Sequence, residues 1–92
     1  KLNTMNENEI LEVELELGGG DKIAMKIQES EDWSEIEKGT RGLICLINNQ
    51  QMLVEINEAC EDEGVSFKII GQEGSYRYDA NVVAAIFTEV SE

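Results

Sequence analysis

Residues 11–17 read Leu-Glu-Val-Glu-Leu-Glu-Leu, so apolar and acidic side chains alternate without interruption. Because successive side chains of an extended strand point to opposite faces, the apolar side chains share one face and the glutamates share the other. Three glycines follow at positions 18–20, and glycine readily adopts the positive φ angles of a tight turn. The alternation then resumes at Ile23, Met25 and Ile27. This pattern predicts a β-hairpin.

The side chains of this hairpin also predict its register. With a loop at 18–20, the opposing residues are Leu15 and Ile23, Val13 and Met25, Leu11 and Ile27, Glu16 and Lys22, and Glu12 and Lys26. In this register apolar residues face apolar residues and acidic residues face lysines. A slip of a single residue would lose both matches, so we expect this register and no other.

The segment after the hairpin carries the signals of a short helix. We predict a helix over 30–38, with Ser30 as its N-cap residue and Gly39 just past its end. Trp33 and Ile36 share one face of that helix because of their spacing. We expect this face to dock on the sheet.

A second hairpin is predicted to join 43–47 to 52–56 through a turn at Asn49 and Gln50. The predicted pairs are Ile47 and Met52, Cys45 and Val54, and Leu43 and Ile56. Both faces of these strands are apolar. We therefore expect the two strands at the centre of the sheet, or covered on both sides.

The last third of the chain is predicted to hold a polar loop over 57–64, a third hairpin that turns at 72–74, and a final strand over 82–90. The predicted pairs of the third hairpin are Ile69 and Tyr76, and Phe67 and Tyr78. In the final strand, simple alternation places Ile86 on one face and Val83 on the other.

These elements predict an all-β fold with one short helix. The expected architecture is a small, partly open β-barrel of six to seven mostly antiparallel strands. We expect residues 1–4, which precede Met5, to be a vector-derived remnant or a disordered start. Residues 5–92 are expected to form a single small β domain.

The chain is strongly acidic, with 20 acidic and 7 basic residues among 92 and a net charge of -13. Such a surface repels phosphate backbones and anionic lipids, so we expect a protein partner and neither nucleic acid nor a membrane. No apolar run reaches the roughly 20 residues of a membrane helix. The pattern around Cys45 and Cys60 does not require a disulfide, and reduced thiols predict a cytoplasmic setting.

The residues that most catalytic and cofactor sites need are scarce. The chain has no histidine, and neither cysteine has an activating neighbour in sequence. The glycines at 18–20 precede a strand, whereas a phosphate-binding loop opens a helix. Placing Gly64 at the glycine of a calcium-binding loop puts Ala59 and Ile70 at ligand positions, which neither can fill. We therefore predict no enzyme, no cofactor and no metal site.

The aromatic residues are the candidate partner-binding residues. Trp33, Tyr76 and Tyr78 are large aromatics, and Arg77 lies between the two tyrosines. Aromatic side chains on a β surface anchor partner peptides, whereas most large aromatics of a domain pack in its core. We predict a partner-binding surface at Trp33, Tyr76, Arg77 and Tyr78, with core packing as the alternative.

Two parts of the chain carry a resemblance to a known fold family. The alternating stretch at 11–17 with its glycine turn, and the break at Tyr78-Asp79-Ala80-Asn81-Val82-Val83, resemble small SH3-like barrels and most of all the Sm-like subset. The break lacks the glycine that this subset often carries. The resemblance implies a fold and transfers no functional residue.

Three functions are compatible with these features. The leading hypothesis is a non-catalytic protein-interaction module. The first alternative is an acidic inhibitor or immunity-type protein, a nucleic-acid mimic that binds a basic partner surface. The second alternative is an Sm-like protein that forms a ring, a homo-oligomer, with an altered ligand.

Overall fold

The computed structural model describes residues 10–16 and 20–90. The seven strands of the sheet are β1 (Ile10–Glu16), β2 (Lys22–Glu29), β3 (Thr40–Leu46), β4 (Gln51–Cys60), β5 (Gly64–Ile69), β6 (Tyr76–Asp79) and β7 (Val83–Glu89). Their order in the sheet is β1-β2-β7-β3-β4-β5-β6, and every pairing is antiparallel. The predicted all-β class is confirmed. The pairings among the described strands leave β1 and β6 as edges, so they do not close the sheet into a barrel.

The first hairpin has the predicted register. β1 pairs with β2 so that Glu12 faces Lys26, Val13 faces Met25 and Glu16 faces Lys22. Gly20 has a φ of +87°, as a glycine turn requires. The rest of the predicted turn, 18–19, lies outside the described residues, and so do Leu17 and the predicted start of the chain at 1–4.

The register of the second hairpin differs from the prediction. β3 pairs with β4 so that Cys45 faces Gln51 rather than Val54. The turn lies at 47–49, where the N–H of Leu46 donates to the carbonyl of Gln50 and Asn49 has a φ of 72°. Since both faces of these strands are apolar, the shifted register still pairs Leu43 with Leu53 and Ile44 with Met52. The pattern therefore specifies the strands but not their pairing.

The predicted loop over 57–64 is wrong, because β4 continues to Cys60 and only 61–63 turn the chain. Asn57 has no partner in β5: Ile56 faces Phe67, and Glu58 faces Ser66. This β-bulge reverses the alternation, so Ile56 and Ala59 are both buried on the same side.

The predicted faces of β7 are wrong because of a second β-bulge. Cys45 faces Ala85 and Leu46 faces Val83, which leaves Ala84 without a partner in β3. The extra residue again reverses the alternation. Val83 and Ile86 therefore lie in the same core, although simple alternation predicts opposite faces.

The predicted helix over 30–38 is a single 3-10 turn over Trp33–Glu35. Its N-cap is Asp32, not Ser30, and the Asp32 carboxylate accepts hydrogen bonds from the N–H of Ser34 at 3.1 Å and its hydroxyl at 2.6 Å. The Asp32 side chain thus caps a single turn, which ends at once because Ile36 already has an extended backbone. A further 3-10 turn, Ala80–Val82, separates β6 from β7.

The buried side chains form two cores. The large core consists of Ile44, Leu46, Val54, Ile56, Ala59, Val65, Phe67, Val83 and Ile86. The small core consists of Met25, Ile27, Leu43 and Leu53. Since consecutive residues of β3 and of β4 belong to different cores, the two cores lie on opposite faces of the sheet. Trp33 and Ile36 pack against the large core, as predicted for a docking face.

The contact between β3 and β7 depends on Gly42, which faces Thr88. A β-carbon at position 42 would overlap the backbone carbonyl oxygen of Phe87. Only glycine allows the two backbones to approach this closely.

We expect Gly42→Ala to lower the free energy of unfolding by about 3 kcal/mol, because one of the two backbones must move. Chemical denaturation measures this loss. The control is Gly74→Ala, since Gly74 has a φ of +99° but nothing within 4 Å of an added β-carbon. That variant should lose only about 1 kcal/mol. Equal losses in the two variants would contradict the close approach.

Candidate functional site

The strand that carries three of the four predicted binding residues is β6. It pairs only with β5 among the described strands, so its other backbone edge is open. Phe67 faces Tyr76 and Val65 faces Tyr78, whereas the predicted partner of Phe67 was Tyr78. The predicted turn at 72–74 is correspondingly longer, because the strands end at Ile69 and begin again at Tyr76. A shift of two residues preserves the faces of a strand, so the bulky residues still share one side.

Two tyrosines flank one buried phenylalanine. The Phe67 ring is fully buried, and its centroid lies 5.9 Å from that of Tyr76 and 5.7 Å from that of Tyr78. The rings are nearly parallel, with interplanar angles of 23° and 26°. Tyr78 is half-buried against the large core, but Tyr76 remains 44% exposed. Stacking on a buried ring therefore holds an exposed aromatic side chain in place.

Trp33 and Arg77 both form hydrogen bonds to the turn at 61–63, which joins β4 to β5. The backbone N–H of Trp33 donates to Oε2 of Glu61 at 2.7 Å. The carbonyl of Glu63 accepts from the Arg77 guanidinium at 3.1 Å and from the N–H of Ala80 at 3.2 Å. The turn thus connects the Trp33–Glu35 segment with the end of β6.

The four predicted residues do not form one surface patch. Trp33 is half-buried, and both Trp33 and Tyr78 pack against the large core. Arg77 lies between the tyrosines on β6 and so points to the opposite face. The exposed aromatic of the set is Tyr76. The sequence pattern does not distinguish the two aromatics that pack against the large core from the exposed Tyr76.

An open groove that the sequence analysis missed lies between the β2–β3 connection and the end of β7. It has a volume of about 500 Å³, and its lining carboxylates are Glu31, Asp32, Glu35, Glu37 and Glu89. A second depression of about 450 Å³ shares Thr40 and Glu89 with it. Oxygen acceptors of this kind suit a cationic group. The acidic composition of 29–37 is the sequence signal for this groove, but the same residues also predict a helix.

Arg41 and Glu89 form a bidentate ion pair across β3 and β7. Nε of Arg41 donates to Oε1 of Glu89 at 3.0 Å, and the terminal nitrogen donates to Oε2 at 2.9 Å. The hydrogen bond to Glu89 is the main cause that raises the pKa of Arg41. Both side chains are partly exposed, so the pair fixes the local geometry more than it stabilises the fold.

Both cysteines are free thiols. Cys45 packs against the small core, and burial, with a smaller effect from the charge of Glu29, raises the pKa of its thiol. Within the described residues, no group of three or more His, Cys, Asp or Glu side chains is arranged to hold a metal ion. No helix in the described part of the chain is long and apolar enough to cross a membrane.

The raised thiol pKa predicts slow alkylation of Cys45. At a given pH a smaller fraction of this thiol is ionised, and the thiolate is the form that reacts. A Cys60→Ser variant leaves Cys45 as the one thiol of the chain. Its rate of reaction with iodoacetamide should therefore still rise as the pH passes 9.0, the ordinary pKa of a thiol. The same variant in concentrated urea is the control. A folded-state pH profile that matches the unfolded one would contradict the prediction.

Comparison with known proteins gives no relative for this chain. No protein-family model, no curated protein and no solved structure matches it. The resemblance to SH3-like and Sm-like barrels and the ring assembly that it implies therefore stay predictions.

Proposed function

We propose that this protein is a non-catalytic protein-interaction module that binds a partner at the β6 edge of its sheet. The observation that carries the proposal is the 44% exposure of Tyr76 on β6, which pairs with β5 alone among the described strands. The absence of histidine from the chain supports a non-catalytic role. The free thiols of Cys45 and Cys60 support the predicted cytoplasmic setting.

The β6 edge combines two features that protein interfaces use. An unpaired strand edge offers main-chain donors and acceptors to an extended partner segment. An aromatic ring held by its neighbours adds apolar contact area at a low cost in side-chain entropy. Tyr76 supplies such a ring because it stacks on the buried Phe67.

The distribution of charge supports an ordinary interaction module. Exposed carboxylates occur on β1, in the β2–β3 connection, on β4 and its following turn, and at the end of β6. A nucleic-acid mimic would concentrate its charge on one face to match a basic cleft. The acidic groove is the one observation that favours the acidic inhibitor, which we keep as the second candidate.

Peptide selection tests the β6 proposal even though the partner is unidentified. We expect peptides selected from a random display library against the folded protein to bind Tyr76→Ala about thirtyfold more weakly, the loss of a typical aromatic hot spot. Tyr76→Phe should retain the affinity within about twofold, because it retains the stacked ring. Isothermal titration calorimetry with the purified peptides measures both values.

Leu11→Ala is the matched control, since Leu11 is also an exposed apolar residue but lies on β1 at the opposite edge. Circular dichroism checks that each variant folds. The proposal is wrong if the selected peptides bind Tyr76→Ala and wild type equally. Basic peptides that bind at low salt, lose affinity at high salt, ignore Tyr76 and bind the groove variant Glu35→Lys more weakly would favour the acidic inhibitor instead.

A further inference from the structure

The β1 edge is a second open edge, and it is independent of the β6 surface. Among the described strands β1 pairs only with β2, so the backbone groups on its other side have no strand partner. Its side chains are also accessible: Leu11 is 39% exposed, and Glu12, Glu14 and Glu16 are all exposed. Val13 packs against the small core, which places the apolar face of β1 inward and the glutamates toward solvent.

The glutamates of β1 are not equivalent. Glu12 faces Lys26 and Glu16 faces Lys22 across the hairpin, so each has a lysine directly opposite. Glu14 faces Ala24. The middle carboxylate of the row therefore has no cationic residue directly opposite it in β2.

A second copy of β1 is a poor occupant of this edge. In an antiparallel pair, directly opposed residues point to the same face. Two copies of β1 would thus place glutamates opposite glutamates, or after a slip of one residue place them opposite apolar side chains. Opposed like charges are destabilising, and charged side chains on an edge strand protect it against self-pairing.

The chain itself shows which kind of strand β1 accepts. On its paired side β1 binds β2, whose residues Lys22 and Lys26 face its glutamates and whose Ile23, Met25 and Ile27 lie on the apolar face. A strand of the same pattern on the open side would continue both faces of the sheet. Its basic residues would reach the glutamate row, including Glu14.

We propose that the open edge of β1 binds an extended segment of a partner protein in which basic and apolar residues alternate. The segment adds an antiparallel strand next to β1, with its basic side chains on the glutamate face and its apolar side chains beside Leu11 and Val13. Main-chain hydrogen bonds supply affinity, and the charges select the partner and its register.

A defined peptide tests this proposal. The probe is a blocked seven-residue peptide that alternates lysine with isoleucine, and the control peptide has glutamate in place of lysine. We expect the lysine peptide to bind the full chain and the glutamate peptide not to bind. Glu14→Lys should weaken binding about tenfold, because an attraction becomes a repulsion at a position that faces no lysine in β2.

Two further measurements separate strand addition from a general attraction to an acidic surface. The first uses two methylated probes, one methylated on the backbone nitrogens of its odd-numbered residues and the other on those of its even-numbered residues. Only one of the two should lose binding, since the N–H groups of alternate residues point to opposite edges of a strand. Glu73→Lys, an equal charge change outside the strands, should leave the affinity within about twofold.

Equal binding of both methylated probes, or equal losses for Glu14→Lys and Glu73→Lys, would overturn the proposal. Binding of neither peptide, or pairing of the wild-type protein with itself through β1, would overturn it as well. Tyr76→Ala should bind the lysine peptide as wild type does. The failure of the β1 proposal is thus distinguishable from the failure of the β6 proposal.

Discussion

The burial of β3 on both faces and along both edges is the constraint on which the rest of the structure depends. This strand lies between β4 and β7, and its residues alternate between the large core, through Ile44, and the small core, through Leu43. Gly42 allows β7 to approach closely enough to pair. The remaining described strands lie on either side of β3. The sheet ends at β1, which carries exposed glutamates, and at β6, which carries the exposed Tyr76.

The sequence predicts the fold well wherever only one face of a strand is apolar. The β1–β2 register is confirmed residue by residue, because the alternation of apolar and acidic side chains leaves a single match. The β3–β4 register is not predictable from the same kind of pattern, since both faces of these strands are apolar. The bulges at Asn57 and Ala84 are invisible to simple alternation, and they determine which side chains of β4 and β7 reach the large core.

The candidate sites were predictable in part. The aromatic residues of β6 are conspicuous in the sequence, but stacking on Phe67 and the exposure of Tyr76 emerge only from the three-dimensional packing. Residues 29–37 contain every lining carboxylate of the groove except Glu89, yet their charge pattern also fits a helix start. Whether β1 lies at an edge depends on the strand order of the whole sheet. That order includes the pairing of β7 with β3, which are far apart in the sequence, so local sequence patterns do not predict it.

Cross-strand nuclear Overhauser effects along β3 test directly whether this strand lies between β4 and β7. We expect contacts between Leu43 and Leu53 on one side of β3 and between Leu43 and Phe87 on the other. Contacts between Cys45 and Val54, or the absence of any contact between β3 and β7, would contradict this expectation. The first result would put Val54 of the large core and Cys45, which packs against the small core, on one face, and the second would remove β3 from the centre of the sheet.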